Sequence, residues 1–421
     1  MIKKIHNLSN KKVDFLFVSY GGGHLKALLP IADKLIRDGY EIYYFALTAA
    51  ISEIEKTNIP FFTYADINRS LNPKNIELGK KLADEQELAN NKKNSLDRNE
   101  TLAYLSLNYV DLIDQYGENE ARKKWVNSGR QAFFPINLMT KIIKHIQPKM
   151  VISTNSPRSE KACIEAASLL GINSVCINDL FAIKQVSWLK KKEFANKLFV
   201  LNESVRNFLI DAGRPASDIV ASGNPAFDSL YDNKFYEEGI MIKKEMGIEN
   251  RINILYASTD EQKINRWTGE KGDTDLPINI EKKLREFVKN NKDINLIIRR
   301  HPSQSLKVKK SDRVFESNQD QNINAILNAV DIVIHSASTV GLQAALIGKS
   351  VINIELSTIS SDLPLTSMGM GRSLFSLDDI EKVLNKEISL LNKIQYVQRR
   401  SKTTATETIT KEIYKILNNS E

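Results

Sequence analysis

Two doubly wound α/β halves are the architecture this sequence predicts, and three observations predict it. An apolar run at 13–18, VDFLFV, meets a glycine-rich turn and then a helical stretch, SYGGGHLKALLPIADKLIRDG. The same strand–loop–helix rhythm returns from 150 and again from 251, and closes with VDIVIHSASTVGLQAALIGKSVI. The 421 residues are 42% hydrophobic, enough apolar material for two cores of about 200 residues each.

In the first half, Leu25, Leu28, Ala32, Leu35 and Ile36 share one helical face, and Asp38-Gly39 stops that helix. A second strand, YEIYYFAL at 40–47, completes a βαβ unit with parallel strands and a right-handed crossover. From 72 to about 148 the composition shifts to Asn, Lys, Glu and Leu. Leu102, Leu105, Tyr109, Leu112 and Ile113 form one apolar stripe there. This stretch is expected to be a helical insertion, either a cap on the sheet or a wall of a substrate cleft. The rhythm then resumes: a strand at 150–153, a helix at 160–170 stopped by Gly171, and strands at 174–177 and 197–201. VASGNPAFDSL, 220–230, reads as the end of this half.

The second half opens with a strand at 252–258, followed by a polar loop at 259–277 and a helix at 280–290. NLIIRR, 295–300, is a strand ending in HPS. A helix at 323–329, a strand at 331–335, a helix at 339–347 closed by Gly348 and a strand at 350–354 follow. TTATETITKEIYKIL, 403–417, has helical spacing. The expected domains are 1–232, 233–400 and a tail at 401–421 that crosses back to the first domain.

Charge and cysteine usage narrow the function classes. The formal net charge is +8, with clusters at Lys190, Lys191 and Lys192 and at Lys307, Lys309 and Lys310. Each cluster reads first as a solvated face, and second as attraction to an anionic membrane surface or substrate. No zinc-finger, RNP-like or basic-zipper signature accompanies them, so nucleic acid is not an expected partner. Cys163 and Cys176 lack metal-ligand spacing and suit a reducing compartment. The start, MIKKIHNLSNKK, has no apolar signal core, and no segment has the long uncharged run of a spanning helix. The expectation is a cytoplasmic protein, at most peripheral at the inner face of the membrane.

Ligands of open α/β sheets bind at the carboxyl ends of the strands. That rule selects GGGH, TNSPRSE, NDLF, RRHPSQS and HSAST. In HSAST, Ser336, Ser338 and Thr339 stand where a helix begins, and unpaired backbone N–H groups there suit a phosphate. Plain capping by Ser338 or Thr339, worth about 1 kcal/mol, is compatible with that role. His301, at a strand end, can donate to a phosphate oxygen while Pro302 fixes the chain direction. DTD at 273–275 imitates a metal motif but lies in a polar loop, so no metal or other cofactor is expected.

These residues together resemble a GT-B glycosyltransferase. GGGHLKALLPIADKLIRDGYEIYYF is similar to the first loop and helix of that fold's acceptor domain, and HSASTVGLQAALIGKSVI to its donor-domain segment. SGNPAFD and RRHPS resemble elements of bacterial capsule and cell-wall polysaccharide transferases, including those using CMP-linked sugars or CDP-glycerol, and of UDP-N-acetylglucosamine 2-epimerases.

The resemblance implies two Rossmann-like domains facing a cleft, a nucleotide-sugar donor, and a glycan or lipid-linked acceptor. It implies that Gly21, Gly22 and Gly23 pass close to donor phosphate or acceptor. It places donor phosphates at His301, Ser338 and Thr339, and ribose at Glu355. The chain departs from the pattern at Gln343, where many GT-B enzymes carry glutamate.

An inverting transfer needs a base for the acceptor hydroxyl. His24, of a residue type that exchanges protons near working pH, and Asp179 are the two candidates. Asn155 and Arg158 are candidates for acceptor contact. Three alternatives to a glycosyltransferase remain at this level. One is a CDP-glycerol-type polyol-phosphate transferase, and another a non-catalytic nucleotide- or glycan-binding subunit. The third is the epimerase, which the absence of a Ser-Gly-Gly loop and paired glutamates in SASTVGLQAA disfavours.

Overall fold

The computed structural model describes residues 13–68, 73–90, 97–265, 268–301, 304, 309, 311–391 and 403–418. The chain divides into two compact units. One runs to Asp228 and takes the chain back from Thr403. The other begins at Ser229 and ends before that return.

The first unit is built on a seven-stranded sheet, ordered β3-β2-β1-β4-β5-β6-β7 and parallel throughout. The strands are β1 (Phe15–Ser19), β2 (Ile42–Ala46), β3 (Phe61–Phe62), β4 (Met150–Thr154), β5 (Asn173–Ile177), β6 (Lys197–Val200) and β7 (Ile219–Ala221). The period of two sends Phe15 and Phe17 to one face and Leu16 and Val18 to the other, and all four are fully buried. The first face is covered by the Gly23–Arg37 helix through Leu25, Leu28, Ile31 and Leu35, and by Ile409 and Ile413 of the Ala405–Asn418 helix. The second face is covered by the insertion through Tyr104, Leu105, Trp125, Met139 and Ile143.

The insertion consists of helices Pro73–Asn90, Arg98–Tyr116, Glu118–Ser128 and Ile136–Ile146. Its Arg98–Tyr116 helix is buried on nearly every side, beyond the single stripe seen in the sequence. The two buried carboxylates that hid this are each paired. Glu100 accepts from the Tyr64 and Ala65 N–H groups, and Asp111 from the Leu138 N–H and the Gln115 amide.

The second unit carries a six-stranded sheet, ordered β10-β9-β8-β11-β12-β13 and again parallel. Its strands are β8 (Ile252–Ala257), β9 (Ile294–Arg299), β10 (Val314–Glu316), β11 (Ile332–His335), β12 (Ser350–Ile354) and β13 (Arg372–Leu374). Strand order reverses beside β1 in the first sheet and beside β8 in the second. Each unit is therefore doubly wound, with a switch point at β1/β4 and at β8/β11. Among the described residues, no helix is long and apolar enough to cross a membrane.

Candidate functional site

The first switch point gathers SYGGGHL, TNSPRSE and NDLF. Two of its glycines are required by geometry. A Cβ on Gly21 would stand 2.6 Å from the Ala49 carbonyl carbon, and Gly22 holds φ 68°, ψ −133°. Around Gly23 a Cβ would meet nothing, so the start of the Gly23–Arg37 helix is left open, and no side chain caps it.

His24, one residue into that helix, is tied to β4 and its loop. Its Nδ1 lies 2.7 Å from the Thr154 hydroxyl. Thr154 in turn donates to Glu160 Oε2. Glu160 is wholly buried and also accepts from the Tyr20 N–H at 2.7 Å and the Ser156 N–H at 2.9 Å. It sits in the first turn of the Ser159–Leu169 helix, where the helix dipole favours a carboxylate.

The hydrogen count fixes the tautomer. A hydroxyl has one proton, and Thr154 gives it to Glu160, so its oxygen accepts from Nδ1–H of His24. Nε2 of the neutral ring then carries the lone pair. Asp179 Oδ2 and Glu160 Oε2 each lie 3.9 Å from Nδ1.

Asp179, Asn155 and Asn224 brace one another. Buried Asn155 accepts the Asp179 N–H at 3.1 Å, and the Asn224 amide donates to the Asp179 carbonyl at 2.7 Å. SGNPAFD thus supports the site through Asn224. Its last residue, Asp228, accepts from the Ala405 and Thr406 N–H groups at the start of the tail helix. Arg158 precedes the Ser159–Leu169 helix and donates to the Tyr104 hydroxyl at 3.1 Å.

The second switch point joins β8 to β11. The Thr259 hydroxyl donates to the Ser336 carbonyl at 2.7 Å, and the Ser336 side chain is buried beneath it. Ser338 caps the Thr339–Leu346 helix by accepting the Val340 N–H at 3.3 Å, whereas Thr339 is exposed. Ala337, between the two serines, takes a left-handed φ of 51°.

His335 holds this loop from below. Its Nδ1 accepts the Ser338 N–H at 3.1 Å, so Nε2 carries the proton and donates to Asn353 Oδ1 at 2.7 Å. Burial pushes the ring's pKa down to about 4, with the Asn353 bond opposing.

The other predicted residues are spread around this crest. His301 is exposed, and its N–H donates to the Gln304 side chain at 2.9 Å. Pro302 and Ser303 lie outside the described residues, as do Lys307 and Lys310. Arg299 points to Ser317 at 3.0 Å, while Arg300 pairs with Glu281 at 2.5 Å, as strand alternation requires. Glu355 accepts from the Ser373 hydroxyl at 3.0 Å. The DTD residues are exposed, and Asp273 accepts the Asp275 N–H in a local turn. Among the described residues, no group of three or more His, Cys, Asp or Glu is placed to hold a metal ion.

The structure therefore brings Gly22, Gly23, His24, Asn155, Arg158 and Asp179 to one crest. It brings Ser336, Ser338 and Thr339 to another. Sequence reasoning missed Thr154 and His335 as members of these networks. Both stand at the last position of their strands, a placement that could have flagged them.

Comparison with known proteins is consistent with this geometry. Residues 177–349 match the family described as CDP-Glycerol:Poly(glycerophosphate) glycerophosphotransferase. No curated protein sequence matches the chain. Among solved structures, the S. aureus MnaA–UDP complex is similar at TM-score 0.59 and 12% identity, over 96% of this chain and 97% of that one. UDP-GlcNAc 2-epimerase from Neisseria meningitidis, bound to UDP-GlcNAc, is similar at TM-score 0.58 and 13% identity, over 96% and 100%. A glycosyltransferase from Rickettsia africae is similar at TM-score 0.52 and 12% identity, over 98% and 100%. The structural likenesses establish an α/β fold of two parallel-sheet, Rossmann-like domains of the GT-B kind, and the stretch matched by the family model runs from the end of β5 past the Thr339–Leu346 helix.

Proposed function

We propose that the protein is a glycosyltransferase that moves a sugar from a nucleotide-activated donor to an acceptor hydroxyl, with His24 as the base. The observation that carries this reading is the His24–Thr154–Glu160 chain, which leaves Nε2 free to take a proton. The acceptor oxygen gives its proton to Nε2 and bonds to the anomeric carbon. The bond from that carbon to the donor phosphate breaks, and the nucleotide leaves with the electron pair. Asp179 and Glu160 stabilise the imidazolium that results. Backbone N–H groups around Ser338 and Thr339, with His301, are assigned to the phosphates.

The family match over 177–349 favours a second reading, transfer of a polyol phosphate from CDP-glycerol. The same base serves. The acceptor oxygen then bonds to phosphorus, the bond to the CMP oxygen breaks, and CMP leaves.

Thermal shifts with UDP, CMP, CDP, GDP and ADP test the donor site. A nucleotide at 100 times its Kd adds about 2.7 kcal/mol to folding stability. A shift with UDP supports sugar transfer and one with CDP supports polyol-phosphate transfer, whereas CMP is the leaving group of both a CMP-sugar and a CDP-glycerol donor and fits either. No shift at millimolar ligand overturns both. Conversion of UDP-N-acetylglucosamine to its 2-epimer without any acceptor overturns the transferase reading in favour of an epimerase.

A further inference from the structure

A cationic feature stands beside the His24 network, and the chemistry above does not use it. Arg158, from the β4 loop, and Arg130, from the helical insertion, converge on the ring of Tyr104. Arg158 donates to the Tyr104 hydroxyl at 3.1 Å and lies over Tyr20, 5.1 Å from that ring's centre. Arg130 lies over Tyr104 at 5.6 Å, and its Nε donates to Gln86 at 2.7 Å. These aromatic faces orient the two guanidinium planes.

Neither arginine has a carboxylate partner among the described residues, and Nε of Arg158 is buried without a hydrogen bond. Burial holds Arg130 below its ordinary pKa. Tyr104 opposes that fall, and the charge of Arg158 adds to it. Arg158 also holds φ 70°, ψ −117°, which side-chain-bearing residues rarely adopt. Such strain persists only where the surroundings impose it, and it clusters at ligand sites. Burial opposes the Arg158 charge as well, but the tyrosines around it hold its pKa above the ordinary value, so two positive guanidinium groups stand side by side with no carboxylate counterion among the described residues.

We propose that Arg130 and Arg158 form a phosphate-binding subsite that takes a phosphate ester of the acceptor. The acceptor assignment rests on the transferase reading, and the phosphate binding does not. Guanidinium forks match phosphate oxygens in pairs, and two forks offer more charge and more donors than one carboxylate needs. The insertion thereby supplies one of the two arginines, which links it to substrate choice.

The test is calorimetric titration of the full-length protein with sn-glycerol 3-phosphate. A second arm measures co-sedimentation with phosphatidylglycerol vesicles against phosphatidylcholine vesicles. Each is run on wild type, Arg130→Gln, Arg158→Gln and Arg158→Lys. Both glutamine variants are expected to weaken binding by about tenfold or more, and Arg158→Lys by less.

Arginine-dependent binding in the titration assigns a soluble polyol phosphate, and arginine-dependent binding confined to vesicles assigns a lipid headgroup. Binding equal across all four proteins, or none in either arm, overturns the proposal. Arg130→Gln, on the insertion, keeps the test decisive if Arg158→Gln does not fold. A surviving nucleotide thermal shift without arginine-dependent binding removes this subsite alone. The converse result removes the transferase reading alone.

Discussion

The ring of His335 fills the space that a side chain at Gly341 would need. A Cβ on Gly341 would collide with Nε2 and Cδ2 and stand 2.7 Å from Cε1. The glycine lies in the Thr339–Leu346 helix, where alanine would otherwise stabilise by about 1 kcal/mol. Gly341→Ala should instead destabilise the protein by roughly 1–3 kcal/mol, because His335 must leave its bonds to Ser338 and Asn353. Urea unfolding checks the direction. The double variant His335→Ala/Gly341→Ala should be no less stable than His335→Ala alone, since the two effects share one volume.

The same histidine imposes a pH dependence. Its folded pKa of about 4 lies below the ordinary histidine value of about 6.5. Between these values the unfolded chain binds the extra proton, so stability rises with pH. The contribution is complete above about pH 6.5 and is lost as pH falls toward 4. From pH 7.5 to pH 5 it amounts to roughly 2 kcal/mol. His335→Gln should lose less stability than wild type over that interval. An equal loss in the two proteins would assign the dependence to other groups.

The central strands and the helices beside them were legible because they carry long apolar runs or a helical repeat. The edge strands β3, β7, β10 and β13 were not, since each has only two or three residues and no period to read. The Arg98–Tyr116 helix looked half-exposed because Glu100, Asn108 and Asp111 interrupt its apolar pattern, yet all three are buried and bonded. At the site, loop positions followed from strand ends, which placed His24 and Asp179 together. The Thr154 hydroxyl between His24 and Glu160 joins residues 130 positions apart on one side and 6 on the other, a relation that sequence spacing does not encode. Arg130 was hidden for the same reason, since its partners Tyr104 and Gln86 belong to other helices of the insertion.

Asp228 anchors the returning tail. Its two oxygens accept the Ala405 and Thr406 N–H groups at 2.9 Å each and the Thr406 hydroxyl at 2.6 Å. A carboxylate from elsewhere in the chain thus does the work of an N-cap, with the helix dipole in its favour. Asp228→Ala should lower stability by about 1–2 kcal/mol. Proteolysis within 403–418 should become faster before the rest of the unit opens, because the docking of Ile409 and Ile413 depends on the helix being formed. Asp228→Asn, which keeps one acceptor oxygen, should fall between wild type and alanine.

The His24 network makes an ordered prediction for turnover, measured with whichever nucleotide donor the thermal shifts identify. His24→Gln removes the proton acceptor and should lower kcat by about 10²–10⁴-fold. Thr154→Val keeps the volume but cannot accept from Nδ1, so the ring loses the bond that fixes its tautomer. A loss smaller than that of His24→Gln, with KM nearly unchanged, is expected. Thr154→Ser restores the hydroxyl and should restore kcat, which a purely structural role of the Thr154 methyl group would not predict. In Glu160→Gln the amide oxygen can still accept from Thr154 and the Ser156 N–H, while its –NH2 faces the Tyr20 N–H, so lost stability and lost negative charge beside His24, with the tautomer kept, are expected to lower kcat less than His24→Gln does. A Thr154→Val protein that folds, binds nucleotide and turns over at the wild-type rate would remove the tautomer argument and, with it, the support for His24 as base.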